Sequence, residues 1–393
     1  MNYWRQLIVP SAILIGASST FGAPGPANCS QLAELKLPHA TITHAQIVHP
    51  GEFKLPSEST PPSSDFFTGF DKMQAFCRVE GGSQPTSDSH IEFEVWLPET
   101  GWNGKYEGAG NGGFGGSMNY YRLAEAINAG YVGSSTDTGH KGTSGEINWA
   151  TGHPEKIVDF DYRAIHETAE ITKAIISAFY RKPVTRSYFS SCSNGGRQGL
   201  MEAQRYPQDY DGILAGAPWN PGTISSSSSN VSAENNKNAV NLNATNPNLK
   251  PFEQRGGKLI IYHGENDGPA QTINYYESVV RTFGAEHTNT FVQLYVVPGM
   301  GHCGGGSLPA YFGQRLNPQD DPQHSIIIAL EQWVEQGIVP RAIIATEYKV
   351  DGVRESGIVQ TRPLCAFPKV ATYSGSGSRN EAANYSCVLP RKR

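Results

Sequence analysis

The chain has 393 residues, a net charge of −5 and only 17% charged residues. That length holds one large domain or two ordinary ones. No basic stripe or arginine run suits it to nucleic acid, and outside the N-terminus no apolar run is long enough to cross a bilayer.

Residues 1–23 read as a secretory signal peptide, leaving 24–393 as the mature chain. Arg5 supplies a positive start, residues 7–16 an apolar run too short for a span, and Phe21-Gly22-Ala23 ends in small residues that suit cleavage. Six cysteines follow: Cys29, Cys77, Cys192, Cys303, Cys365 and Cys387. An even count in a secreted chain predicts three disulfides. No Cys-x-x-Cys pair occurs, so no zinc site is expected. Asn28, Asn230, Asn243 and Asn384 each open an Asn-x-Ser/Thr sequon, a glycosylation acceptor if the host is eukaryotic.

Residues 24–83 hold Cys29, Cys77 and a Pro/Ser-rich stretch over 57–64 that reads as a surface loop. Over 90–97, Ile91, Phe93, Val95 and Leu97 alternate with Glu92, Glu94 and Trp96, which predicts a strand with one buried face. A glycine-rich run, Gly108-Ala109-Gly110-Asn111-Gly112-Gly113-Phe114-Gly115-Gly116, comes next. So many glycines let backbone N–H groups turn toward a ligand unobstructed. A phosphate loop is one rival reading, but Gly-Lys-Ser/Thr is missing. A plain flexible loop is the other. A helix over 123–129 ended by Gly130, a strand over 131–136 and the loop Asp137-Thr138-Gly139-His140 follow. Ile165, Ala169, Thr172 and Ile176 then recur at helical spacing within 160–180, and Pro183 closes that helix.

Residues 190–200 read Ser-Ser-Cys-Ser-Asn-Gly-Gly-Arg-Gln-Gly-Leu. The run Ser187-Tyr188-Phe189 leads in and a helix-like run over 198–206 leads out. A strand that turns sharply into a helix, with a serine at the bend, is how an α/β-hydrolase exposes its nucleophile, usually as Gly-x-Ser-x-Gly. Here the stretch is Ser191-Cys192-Ser193-Asn194-Gly195, with a small residue for the first glycine. The bland alternative is a polar loop capping a helix. The order strand, glycine loop, helix, strand, helix, strand, elbow, helix is that of a doubly wound, mostly parallel α/β sheet with helices on both faces. In that fold the glycine loop supplies half of an oxyanion hole.

Residues 210–218 read as the next parallel strand. Over 224–249 the chain has five consecutive serines, many asparagines and hardly any apolar residue to bury, which predicts a mobile surface excursion. A strand then runs into a loop bearing Asp267. A helix over 274–283 and a strand over 291–297 follow, with the loop Pro298-Gly299-Met300-Gly301-His302-Cys303 after them. A helix over 325–337 and a last strand over 343–348 precede the tail that holds Cys365 and Cys387.

A serine hydroxyl needs an imidazole to take its proton, and the imidazole needs a carboxylate to fix its tautomer. α/β-Hydrolases place these in the chain order Ser, acid, His, on loops after strands. Ser193, Asp267 and His302 follow that order, each just past a predicted strand. His140 and His153 precede the nucleophile, His166 falls on a helix face, and His263 ends a strand as a structural contact. Glu265 and Asp320 are alternative acids. Asp320 lies in a polar Gln-Asp-Asp-Pro run that reads as solvated. Cys192 precedes Ser193 and Cys303 follows His302, so a serine hydrogen-bonded to that histidine brings the cysteines together. A Cys192–Cys303 disulfide is expected to tie the two loops.

With these residues the chain resembles the tannase and feruloyl esterase family of secreted serine esterases. The blocks that carry the resemblance include Gly110-Asn111-Gly112-Gly113-Phe114-Gly115, Ser135-Thr136-Asp137-Thr138-Gly139-His140, Ile213-Leu214-Ala215-Gly216-Ala217-Pro218 and the long stretch 195–207. Thr361-Arg362-Pro363-Leu364-Cys365 belongs with them. The resemblance implies the pairs Cys29–Cys77 and Cys365–Cys387. It also implies oxyanion donors at the backbone N–H of Asn194 and of the Gly112–Gly113 turn. Members of that family carry a lid between the strand ending Gly-Ala-Pro and the strand leading to the acid, with an Asp-rich calcium loop. Here 218–254 is only a Ser/Asn-rich remnant or replacement, so calcium does not carry over and neither does specificity for one acid.

The expectation is therefore a secreted, extracellular α/β-hydrolase with its lid reduced to a loop. It would use no cofactor or metal and would cleave a small-molecule or polysaccharide-linked phenolic ester, with no nucleic acid or membrane partner. The rivals are a lidless paralogue that keeps the core without efficient binding, and a wrongly spliced sequence.

Overall fold

The computed structural model describes residues 28–56, 69–225, 239–317, 320–350 and 352–390. The signal segment 1–23 and the sequon at Asn230 lie outside the described residues.

Fifteen strands and eight α-helices are described. In chain order they are β1 (Ala40–Val48), β2 (Phe76–Ser83), β3 (Ile91–Pro98), β4 (Lys105–Gly108), α1 (Tyr120–Asn128), β5 (Val132–Thr136), α2 (Pro154–Val158), α3 (Ala164–Tyr180), β6 (Arg186–Cys192), α4 (Asn194–Arg205), β7 (Gly212–Gly216), β8 (Thr223–Ser225), β9 (Ala239–Asn241), α5 (Lys250–Gln254), β10 (Lys258–Gly264), α6 (Ala270–Phe283), α7 (Ala285–Thr288), β11 (Val292–Val297), α8 (Ile326–Gln336), β12 (Ala342–Val350), β13 (Val353–Cys365), β14 (Val370–Tyr373) and β15 (Tyr385–Val388). Nine strands form one sheet in the spatial order β1-β2-β3-β5-β4-β6-β7-β10-β11. From β5 to β11 every pairing is parallel, and β1, β2 and β3 add an antiparallel edge.

Neighbouring residues on each strand feed opposite faces, because side chains alternate along a strand. Phe189, Ile213, Leu259 and Leu294 join Ile165, Ala169 and Ile176 of α3 and Tyr275 and Val279 of α6 on one side. Tyr188, Leu214, Ile260 and Tyr295 join Ile326, Leu330 and Trp333 of α8 on the other. Buried on both faces, these positions are apolar on both sides of the sheet, as the centre of a doubly wound sheet requires. The register then sets the working edge. Cys192 lies opposite Gly216, Gly216 opposite Tyr262, and Gly264 opposite Val297. The loops bearing Ser193, Asp267 and His302 therefore leave the same end of the sheet, where ligands bind in open α/β sheets.

Several elements differ from their sequence reading. β3 was expected to bury one face, yet Glu94 and Trp96 are buried too, because Phe76 and α1 cover the second face. Glu94 is satisfied there by Arg78, Tyr120 and the Trp96 indole N–H. The described part of 218–254 is no bare excursion. β8 and β9 pair antiparallel, Ile224 and Leu242 pack on Phe160 and Ile157, and Ala244, Leu249 and Phe252 are buried in the main core. Asp320 is not solvated: its carboxylate is buried against Arg354. The strand predicted over 343–348 becomes β12, which pairs with β13 outside the main sheet.

Candidate active site

Ser193 stands between β6 and α4 with φ 65° and ψ −126°, a backbone state that a side-chain-bearing residue adopts only under strain. Its amide donates to the Gly216 carbonyl at 2.9 Å, and its carbonyl accepts from Arg197 N at 3.1 Å and Trp219 N at 3.0 Å. Both backbone groups are thus clamped. Gly196 in the first turn of α4 has no room for a side chain, since a Cβ there would lie 2.1 Å from the Gly216 carbonyl oxygen. Arg197, fully buried, donates to Asn194 Oδ1 (2.7 Å), Asp161 Oδ1 (2.8 Å) and the Leu242 carbonyl (3.2 Å). It fastens the nucleophile turn to the π-helical turn Asp159–Arg163 and to the end of β9.

The Asp267 and His302 loops are tied to each other. Asn266 N donates to the Met300 carbonyl (3.0 Å), Asn266 Nδ2 to the Gly299 carbonyl (3.0 Å), and Gly299 N to Glu265 Oε2 (3.2 Å). Glu265 is thereby a loop brace. The structure brings the three sequence candidates together: His302 Nε2 lies 2.8 Å from Ser193 Oγ, and His302 Nδ1 lies 2.6 Å from Asp267 Oδ2. The His302 side chain is 48% exposed and that of Asp267 22%.

Three disulfides form: Cys29–Cys77, Cys192–Cys303 and Cys365–Cys387. The second joins the residue before Ser193 to the residue after His302, with Cα atoms 5.9 Å apart.

The glycine-rich loop lies on the first turn of α4. A Cβ on Gly110 would sit 2.8 Å from Gly195 Cα, so the two backbones touch. Asn111 pins the loop, its amide donating to Gln198 Oε1 (3.0 Å) and its side chain to the Ser117 and Thr136 carbonyls (both 2.8 Å). Gly113 has φ +55°, and a Cβ there would meet the Ser144 carbonyl oxygen at 2.5 Å. Asn194 opens α4, so its N–H has no helical carbonyl to serve. Gly110 and Asn111 are thus the loop residues that lie against Gly195 at the start of α4, with Gly112 and Gly113 following them.

The other histidines stay apart from the serine. His140 stacks on Trp149 at 3.9 Å and bonds the Phe114 carbonyl at 2.8 Å; burial lowers its pKa. His153 pairs with Asp88 and His166 with Asp209. His263, read from sequence as a structural contact, does more. Its Nε2 lies 3.0 Å from Asp267 Oδ2 and its Nδ1 2.8 Å from Thr272 Oγ1. Burial lowers its pKa, against the opposing pull of the Asp267 charge. The spacing of four residues across one tight turn was the sequence signal for that contact. Arg197 was also missed; a charge inside a run of small helix residues was its only sign.

Of the remaining sequons, Asn28 is exposed, while Asn243 accepts from Gly222 N and Asn384 donates to the Ser378 carbonyl. Among the described residues, no group of three or more His, Cys, Asp or Glu side chains is placed to hold a metal ion, and no helix is long and apolar enough to cross a membrane.

Comparison with known proteins gives three findings. The family described as "Tannase and feruloyl esterase" matches residues 77–236 and 223–388, two segments that meet within 223–236. An uncharacterized esterase of Xanthomonas campestris is 29% identical over 557 residues, covering 98% of this chain and 94% of that protein. A probable feruloyl esterase B-2 of Aspergillus terreus is 25% identical, covering 99% of each. The first alignment is longer than the 393 residues of this chain, so at least 164 of its 557 positions face no residue here. Among solved structures, feruloyl esterase B from Aspergillus oryzae superposes with a TM-score of 0.77 at 22% identity, covering 92% of this chain and 99% of that one. The likeness in fold is to that α/β-hydrolase.

Proposed function

The chain belongs to the tannase and feruloyl esterase family and is a carboxylic ester hydrolase, and from that premise we propose a secreted serine esterase that cleaves phenolic acid esters of the feruloyl or galloyl type. The observation that carries the mechanism is the line of contacts from Asp267 through His302 to Ser193, at 2.6 and 2.8 Å.

Asp267 accepts the Nδ1 proton of His302 and leaves Nε2 as the acceptor facing Ser193 Oγ. As Oγ attacks the ester carbonyl, its proton passes to Nε2, and Asp267 stabilises the imidazolium. The carbonyl oxygen becomes an oxyanion facing Asn194 N–H and the Gly112–Gly113 turn, donors of a kind worth about 3–4 kcal/mol each. His302 then gives its proton to the departing alcohol. Water enters, loses a proton to Nε2, attacks the acyl-Ser193 carbonyl and frees the carboxylic acid, and the proton returns to Oγ.

We read residues 218–254 as a reduced lid. Supporting this are the two family segments that meet within 223–236 and the surplus length of the aligned relative. A half-exposed His302 agrees with an open site. Secretion is supported by three disulfides and by the signal-like start of the sequence. The test is hydrolysis of p-nitrophenyl acetate, methyl ferulate and methyl gallate by the disulfide-bonded protein and by Ser193→Ala. Turnover lost only in the variant supports the reading. Equal rates in the two proteins would refute it.

A further inference from the structure

The C-terminal part of the chain docks on the free edge of the nine-stranded sheet and leaves a hollow there. β11 is the last strand of that sheet. Phe367, just past β13, donates its N–H to the Leu294 carbonyl of β11 at 2.8 Å and sets its ring edge to face on Tyr276 of α6, with centroids 5.9 Å apart. Around that anchor lies a cavity of about 360 Å³, within the roughly 300–1,000 Å³ of small-molecule sites. Ile273 of α6, Val296 of β11, Pro298 and Phe367 line it and are only half-buried. Leu308 and Val370 line it from exposed positions. The lining is apolar surface left open to water, which the hydrocarbon of a ligand would cover.

The cavity also carries charge that the protein does not balance. Arg362 and Lys369 both line it, and among the described residues neither enters an ion pair. The Arg362 guanidinium lies over the Tyr385 ring at 4.2 Å and donates to Gln360 Oε1 at 3.0 Å. A third cation, Arg379, lies over the neighbouring Tyr373 ring at 4.4 Å. Burial first, and the charge of Arg379 second, push the Arg362 pKa below its usual value. The one carboxylate on the lining belongs to Glu265, whose Oε2 accepts from Gly299 N at 3.2 Å. An apolar hollow with a surplus of unpaired cations suits a ligand with an apolar body and one anionic end.

We propose that this cavity binds an apolar monocarboxylate, with the carboxylate on Arg362 and Lys369 and the hydrocarbon over Ile273, Val296 and Phe367. The site is separate from the triad: Ser193, Asp267 and His302 are not on its lining. It lies instead behind the loops that carry the last two. Glu265 stands two residues before Asp267, and Pro298 four before His302. Leu308 touches the His302 loop from the cavity side, since a Cβ on Gly299 would lie 3.0 Å from Leu308 Cγ. The site requires nothing of the reaction at Ser193, so it stands or falls apart from the esterase reading.

The experiment is calorimetric titration of the disulfide-bonded protein with octanoate, beside two variants that keep the triad. Ala371→Phe fills the hollow with a ring, and Arg362→Gln/Lys369→Gln removes its cations. The wild type is expected to bind octanoate with a Kd on the order of 0.1–1 mM. Each variant should weaken that binding by about tenfold or more. Butanoate, with less hydrocarbon, and octyltrimethylammonium, with the opposite charge, should bind the wild type more weakly by about the same factor. Circular dichroism checks that the variants fold, and if Ala371→Phe does not, the double variant decides alone. Octanoate that binds the variants as it binds the wild type has found another place, the triad included, and overturns the site. Absence of saturable binding overturns it as well. A second copy covering the hollow would appear as a dimer in sedimentation that Val370→Asp splits, with octanoate unbound, and that too would overturn the proposal.

Discussion

His263 Nε2 lies 3.0 Å from Asp267 Oδ2, the same carboxylate oxygen that His302 Nδ1 approaches at 2.6 Å. One oxygen thus serves two imidazoles. His263 is fixed in turn by Thr272, so it acts on Asp267 as a positioning group. Removing it frees the carboxylate to turn. His263→Ala is expected to lower kcat about tenfold with little change in KM, and His263→Gln should recover part of the loss. A kcat equal to that of the wild type, or a loss confined to KM, would reject this role.

Cys192–Cys303 closes a loop between positions 111 residues apart, immediately beside Ser193 and His302. In the chain-entropy model such a closure contributes about 4–5 kcal/mol. Its position also sets the separation of nucleophile and base. Mild reduction, or Cys192→Ala with Cys303→Ala, should cut kcat by about a hundredfold or more under conditions where circular dichroism still reports a folded protein. Full activity alongside complete alkylation of both cysteines would contradict it.

The backbone strain at Ser193 makes a second substitution informative. At φ 65° and ψ −126° glycine fits without penalty and alanine does not. Ser193→Gly should exceed Ser193→Ala in stability by about 1–3 kcal/mol, with both inactive. Chemical denaturation of the pair measures this directly, and equal midpoints would mean the turn is relaxed.

Several buried carboxyl groups give stability a common dependence on pH. Glu107 in β4 is pushed up to about 8, chiefly by burial, with Arg122 opposing and Glu125 and Glu331 reinforcing. Burial likewise raises Asp137 and Asp159 to about 6, against the pull of Lys141 and Arg163 respectively. Each group ionises more readily in the unfolded chain than in the folded one. The folded state therefore holds its advantage below the unfolded value near 4.5 for Glu107 and loses it as pH climbs toward 8. Tm is expected to fall from pH 4.5 to pH 8, with Glu107 alone accounting for a few kcal/mol, order of magnitude. Glu107→Gln should flatten the slope. A Tm that rises over that interval, or a slope the variant leaves unchanged, would count against it.

The three residues that meet at the site are legible in the sequence because each follows closely on a short apolar run. Strands buried on both faces have no other signature, and their ends mark the loops. Burial decided at a distance is what composition hides. The stretch over 224–249 is polar on average, yet Leu242, Ala244 and Leu249 find cover under residues far away in the chain. Trp96 hides its second face for the same reason, under a helix that begins 24 residues later. Asp320 looks solvated until Arg354 arrives from the β13 strand. The Asp267 contact of His263 depends on how tightly the turn between them closes, which residue types alone leave open.

Half of the His302 side chain faces solvent. On the mechanism proposed here, once the alcohol has left, water reaches the base from bulk liquid. An added alcohol can then capture the acyl group only in proportion to its concentration against some 55 M water. The enzyme is built to hydrolyse and poorly suited to ester synthesis.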